Sequence, residues 1–126
     1  MIGSDIAEFI DTKLGSVYEI SSGKVLIAVP SKSLNDNSNL IVYRTTDNII
    51  ETRLSFSNYD VIKALPGPSQ DLYYILTDDV QNSGLNSRLR LINTTGDEVS
   101  TWGDNNEIIH PKGLKVLSNN DVLVSE

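Results

Sequence analysis

The chain has 126 residues, a net charge of −7 and no cysteine, and its length suits one small domain. A field of that sign repels phosphate backbones, and the ten Lys and Arg residues stand scattered, so a general nucleic-acid binder is excluded. The absence of cysteine excludes disulfides, thiolate zinc sites and cysteine nucleophiles.

From the N-terminus, SDIAEFIDTKL offers a helix capped at Ser4 or Asp5, with Ile6, Phe9, Ile10 and Leu14 on one face. The same letters also alternate as a strand. MIGSDIAEF lacks the basic-then-apolar order of a secretory signal, so a cytoplasmic or virion-associated location is compatible with the sequence. Short runs rich in β-branched and aromatic residues then follow one another: SVYEIS, KVLIAVPS, NLIVYRT and IIETRLSF, separated by SSG, SLNDNS and TTDN. Within them VLIAV at Val25–Val29 is the longest apolar run, too short to span a bilayer, so membrane insertion is not expected. A second series comprises YDVIKAL, DLYYILTD, SRLRLINT and EVSTW, and a third GLKVLS and DVLVSE. Asn and Ser together supply roughly a fifth of the chain, which fits many tight turns between short strands.

The three series overlay at intervals of roughly 50 residues, a spacing typical of repeat architectures. Val17–Ile20, Ile62–Leu65 and Leu114–Leu117 open the units, and Val25, Leu72 and Val122 lead the second strands. LIVYRTTDN aligns with LRLINTTGD, and Ile50 and Thr52 align with Val99 and Thr101. The expectation is an all-β chain of propeller-like repeats of four-stranded antiparallel sheets, a partial propeller, with a β-sandwich as the alternative. The single domain 1–126 divides into 1–14 as a possible closing strand, 15–57 and 58–103 as blades, and 104–126 as the inner half of a third.

HPKGLKVLSNNDVLVSE, His110–Glu126, resembles the start of an NHL-type repeat, in which Pro and Gly precede a strand, a turn and a second strand. RLRLINTTGDEVSTWG looks like the second half of such a repeat, and the two segments together cover about the last third of the chain. The resemblance implies a six-bladed β-propeller of the kind that mostly serves as an interaction platform, although some are lactonases or lyases. The lactonase-like branches place a Glu, an Asn and an Asp at the channel mouth. Glu19 falls on an expected inner strand, and the other two have no counterpart. WD-type repeats are not supported, because Trp102 is followed by Gly103.

His110 is the only histidine, which excludes a His-based triad within one chain. It could face a channel and bind a ligand, or be a loop residue restricted by Pro111. Asp78 and Asp79, with Asn82 and Asn86, offer oxygen ligands suited to calcium, or form a polar connection. Asn93–Thr95 matches the glycosylation pattern or forms a turn of small polar residues. The five tyrosines fit half-buried strand faces better than a stacking site.

The function expected is a non-enzymatic protein-interaction or structural module, presenting polar loops to a protein partner or completing a ring by self-association. It needs no cofactor, calcium being the one candidate. The alternative is a propeller enzyme or lectin whose site forms only in the completed ring, with Glu19, His110 or Glu126 converging on a channel. The assembly edge is Asp121, Val122, Leu123 and Val124, a strand edge that something must cover.

Overall fold

The computed structural model describes residues 16–30, 37–57, 59–78, 87–103, 107–108 and 111–125. The expected N-terminal helix or strand, and with it the closing strand, lies outside these residues. Ten strands make up the regular structure, and no helix occurs among the described residues. They are β1 (Ser16–Ser21), β2 (Lys24–Val29), β3 (Ser38–Arg44), β4 (Ile49–Phe56), β5 (Asp60–Pro66), β6 (Leu72–Asp78), β7 (Arg88–Asn93), β8 (Glu98–Trp102), β9 (Gly113–Val116) and β10 (Val122–Ser125). The chain is therefore all-β. Three antiparallel sheets follow chain order: β1-β2-β3-β4, β5-β6-β7-β8, and the hairpin β9-β10.

One left-handed residue stands in each of the five hairpin turns that are wholly described: Gly23, Asn48, Asp71, Gly96 and Asn120, with φ between 57° and 90°. Gly and Asn tolerate that region best, and Asp follows them. The turn of β7 and β8 shows how side chains support it. Asn93 Oδ1 accepts from the amides of Thr95 and Asp97, each at 3.0 Å, and from Thr95 Oγ1 at 2.7 Å. The Asn-Thr-Thr run is thus a built turn.

The middle strands are buried on both faces. In β2, Leu26 and Ala28 point to one side and Ile27 and Val29 to the other; in β3, Leu40 and Val42 part from Ile41 and Tyr43 in the same way. This is why VLIAV and LIVY read as unbroken apolar runs. Leu26, Ala28, Leu40 and Val42 meet Val61, Ala64, Tyr73, Ile75 and Ile92 of the second sheet in the main core. The second sheet then turns Tyr74, Leu89 and Leu91 toward Leu114, Val116, Val122 and Val124 of the third. At 25 cal/mol per Å² or so of apolar surface, burial on both faces is the main source of stability.

Two serine hydroxyls tie the first sheet to β5 and the residue before it. Ser38 Oγ donates to the Tyr59 carbonyl at 2.9 Å and accepts from the Val61 amide at 3.1 Å, while Ser16 Oγ accepts from the Ala64 amide at 3.1 Å. Ser38 is completely buried. β5 also packs against β1, β2 and β3 on one side and β9 on the other. Through it the second sheet touches both of the others.

β-Bulges recur at equivalent places, between Val42 and Tyr43 opposite β4 and between Leu91 and Ile92 opposite β8. Glu51 and Val99 are the extra residues. The registers correct the fourth-strand alignment read from the sequence. Val42 pairs with Thr52 and Leu91 with Ser100, so Thr52 corresponds to Ser100 and Leu54 to Trp102, one residue away from the expected match. The turn after β7 is one residue shorter, and a slip of one residue exchanges the faces of a strand. The second strands shift likewise: Val25 pairs with Tyr43 and Tyr73 with Ile92, which matches Val25 to Tyr73 rather than to Leu72.

Candidate protein-interaction surface

The β9–β10 hairpin sets a strand edge, open among the described residues, beside exposed apolar side chains of β8 and β10. Its turn is closed by the Leu117 amide donating to the Asp121 carbonyl at 2.7 Å and the Asn120 amide donating to Leu117 at 2.9 Å. Asn119 braces it: its Oδ1 accepts from the Asp121 amide at 3.1 Å and its Nδ2 donates to Asp121 Oδ2 at 2.9 Å. Antiparallel ladders alternate hydrogen-bonded and non-hydrogen-bonded pairs. With Leu117 and Asp121 at a bonded position, Leu123 opposite Lys115 is the next, and the backbone N–H and C=O of Val122 and Val124 face away from β9. Among the described residues no strand pairs with that edge.

The side chains of Val122 and Val124 point to the second sheet, whereas Leu123 on the other face is 54% exposed. Between Val122, Val124 and the second sheet lies a groove of about 510 Å³, lined by Tyr74, Leu89, Trp102 and Ile108 and bordered by Glu107 and Asp121. No Lys or Arg lines it among the described residues. Trp102 is 45% exposed, and its ring stands 6.2 Å from that of Tyr74 at 49°. Gly103 fixes the exit from β8. Its φ is +101°, its carbonyl accepts from Arg88 Nη1 at 2.8 Å, and a Cβ there would meet Ile108 Cδ1 at 2.7 Å. The indole is thereby held at the mouth of the groove.

A second cleft, of about 560 Å³, opens at the turn end of the first two sheets, between Lys24, Glu51 and Thr52 on one side and Gly67, Asp71 and Thr94 on the other. Glu51 accepts from Arg44 at 3.0 Å and pairs with Lys24 at 3.1 Å, and Arg44 makes a two-point contact with Asp47. The hydrogen bonds between Arg44 and Asp47 hold the aspartate below the usual carboxylate range and raise the guanidinium. These cations are already engaged by acids, which makes this cleft a solvated ion network.

Of the residues expected to bind ligand, Glu19 and Asp78 are described, and they stand apart. Glu19 is exposed on β1 near the turn into β2, while Asp78 ends β6 at the opposite end of the sheets, where its Oδ1 accepts from Ser87 Oγ at 3.0 Å. Asp79 and His110 lie outside the described residues, as does Glu126. No group of three acidic or histidine side chains suited to a metal occurs among the described residues. Asp121, Val122, Leu123 and Val124 do lie together, on the turn and edge of the third sheet.

Sequence reading passed over two features. Trp102 served only to set aside WD-type repeats, although a lone Trp on an outer strand of mixed polarity is itself a signal of a surface site. Ser38 and Ser87, both fully buried, open the third strand segments SNLIVYR and SRLRLIN at the same place in the repeat. Comparison with protein-family models, with curated proteins and with solved structures finds no match to this chain.

Proposed function

We propose that the chain is a non-enzymatic protein-interaction module built of propeller-like units, and that it engages another polypeptide through the open side of its third sheet. The observation that carries this reading is the half-exposed Trp102 in an apolar groove beside the edge of Val122–Val124, which is unpaired among the described residues. An exposed apolar groove on a rigid β scaffold marks an interaction site, and an edge that pairs with no neighbour is a template for another strand.

The propeller-like reading is supported by the order of packing. The first sheet gives Leu26, Leu40 and Val42 to the second, and the residues at the same register positions, Tyr74, Leu89 and Leu91, face the third. A two-layer sandwich leaves outer faces to solvent, whereas β2, β3, β6 and β7 are buried on both sides. Repeated stacking of one face on the next is the logic of a radial array.

The test is a photo-cross-linking amino acid in place of Trp102, with Thr101 on the opposite face as control, together with solution mass by light scattering. A discrete adduct from position 102 and none from 101, or a mass of twice 13.9 kDa that falls to one chain in Trp102→Lys, is the expected result. A monomer that yields no adduct at position 102 in the cells that make it overturns the reading.

A further inference from the structure

We propose that the groove beside β10 takes an extended peptide whose groove-side residues are two apolar side chains flanked by Lys or Arg, added as a strand to the third sheet. This rests on the interaction-module reading and names the chemistry of its partner. Backbone recognition comes from Val122 and Val124, whose N–H and C=O groups face away from β9, toward an edge that no strand among the described residues pairs with. Main-chain pairing of this kind gives affinity, and pockets for alternate side chains give specificity. Residues of the added strand on the same face as Val122 and Val124 lie over Trp102, Leu89 and Tyr74. Because successive side chains alternate, only every second residue of the peptide enters the groove.

Charge selects the flanks. Glu107 and Asp121 border the groove, both are exposed, and among the described residues no Lys or Arg lines it. Lys115 lies on the opposite face of the hairpin, opposite Leu123, so the cations belong on the groove side alone and neutral residues on the other. A second copy of this chain would bring a net charge of −7 to a rim that is already acidic. Complementary potential favours a cationic strand and penalises an acidic one.

The single tryptophan is the reporter, since it stands in the groove. The probes are the capped peptide KTVTVTK, the same peptide with Glu for both Lys, and KTVTVTK with both valine amides N-methylated. KTVTVTK shifts the Trp102 emission to the blue with a saturable titration that weakens at least threefold between 50 and 500 mM salt. The Glu peptide binds at least tenfold more weakly, as does the N-methylated one, which probes edge pairing without altering the protein. Val124→Pro, which removes an edge amide, loses at least tenfold, and Leu123→Thr on the far face retains binding. Equal binding of the Lys and Glu peptides overturns the choice of partner, and undiminished binding of the N-methylated peptide overturns strand addition. No response to any peptide, with an adduct or a doubled mass still found at position 102, rejects this partner and leaves the interaction module standing. No response together with no adduct and no doubled mass removes both.

Discussion

Ser38 shows how one small side chain positions two sheets. Its hydroxyl accepts from the Val61 amide of β5, an edge strand of its sheet, and donates to the Tyr59 carbonyl just before β5. Removing it leaves the buried Val61 N–H and the part-buried Tyr59 carbonyl without that partner, which costs about 1–3 kcal/mol. Ser38→Ala is therefore expected to lower the unfolding free energy by that amount in urea titration. Ser55→Ala removes only a part-buried bond to Asn39 and stays within about 0.5 kcal/mol. Arg90 is engaged in three directions: Nε donates to Thr77 Oγ1 at 3.0 Å, the guanidinium lies 4.1 Å from the Tyr59 ring centre, and Nη1 pairs with Glu98. Burial raises the Tyr59 phenol, opposed by the nearby Arg90 charge. None of these three contacts was legible in the sequence, because each depends on which residues of different strands come to share a face.

At the scale of strands, nearly everything about existence and order was legible. SVYEIS, IIETRLSF and EVSTW coincide with β1, β4 and β8, since apolar and β-branched runs bounded by Gly, Asn and Asp leave few other conformations. Register was not legible. The bulges at Glu51 and Val99 insert one residue each, and nothing in IIETRLSF or EVSTW announces the place where the period of two is interrupted. The result is that Ile50 joins Tyr43 on one face while Thr52 and Leu54 turn to the other. The groove was hidden for a related reason: Tyr74, Trp102 and Val124 meet only when two sheets stack. Energetic weight should follow the same division. Leu40→Ala, at a fully buried centre of β3, is expected to cost about 2–5 kcal/mol, against less than about 0.5 kcal/mol for Leu123→Ala on the exposed face of β10, both read from denaturant midpoints.

Across the molecule, protection is expected to be graded. The four middle strands β2, β3, β6 and β7 are flanked on both sides within their sheets and buried on both faces, whereas β10 is paired on one side among the described residues. Local opening draws on regions with few buried contacts and exposed backbone bonds. Amide hydrogen exchange should therefore show Leu26–Ala28, Leu40–Val42 and Tyr74–Leu76 exchanging last. The amides of Val122 and Val124 should exchange first and become protected when KTVTVTK is bound. Uniform exchange over all ten strands would contradict a body built of unequal sheets.

The left-handed turn residues stand at 23, 48, 71, 96 and 120, which sets them 23 to 25 positions apart. That interval is the length of one hairpin with its connection, about half the interval between whole sheets. The elementary module of this chain is then two strands and a turn, and a four-stranded sheet is two modules laid side by side. Seen so, β9 and β10 are one complete module. Growth or shortening by a single hairpin would preserve every turn conformation while changing which edge is left to recruit a neighbour.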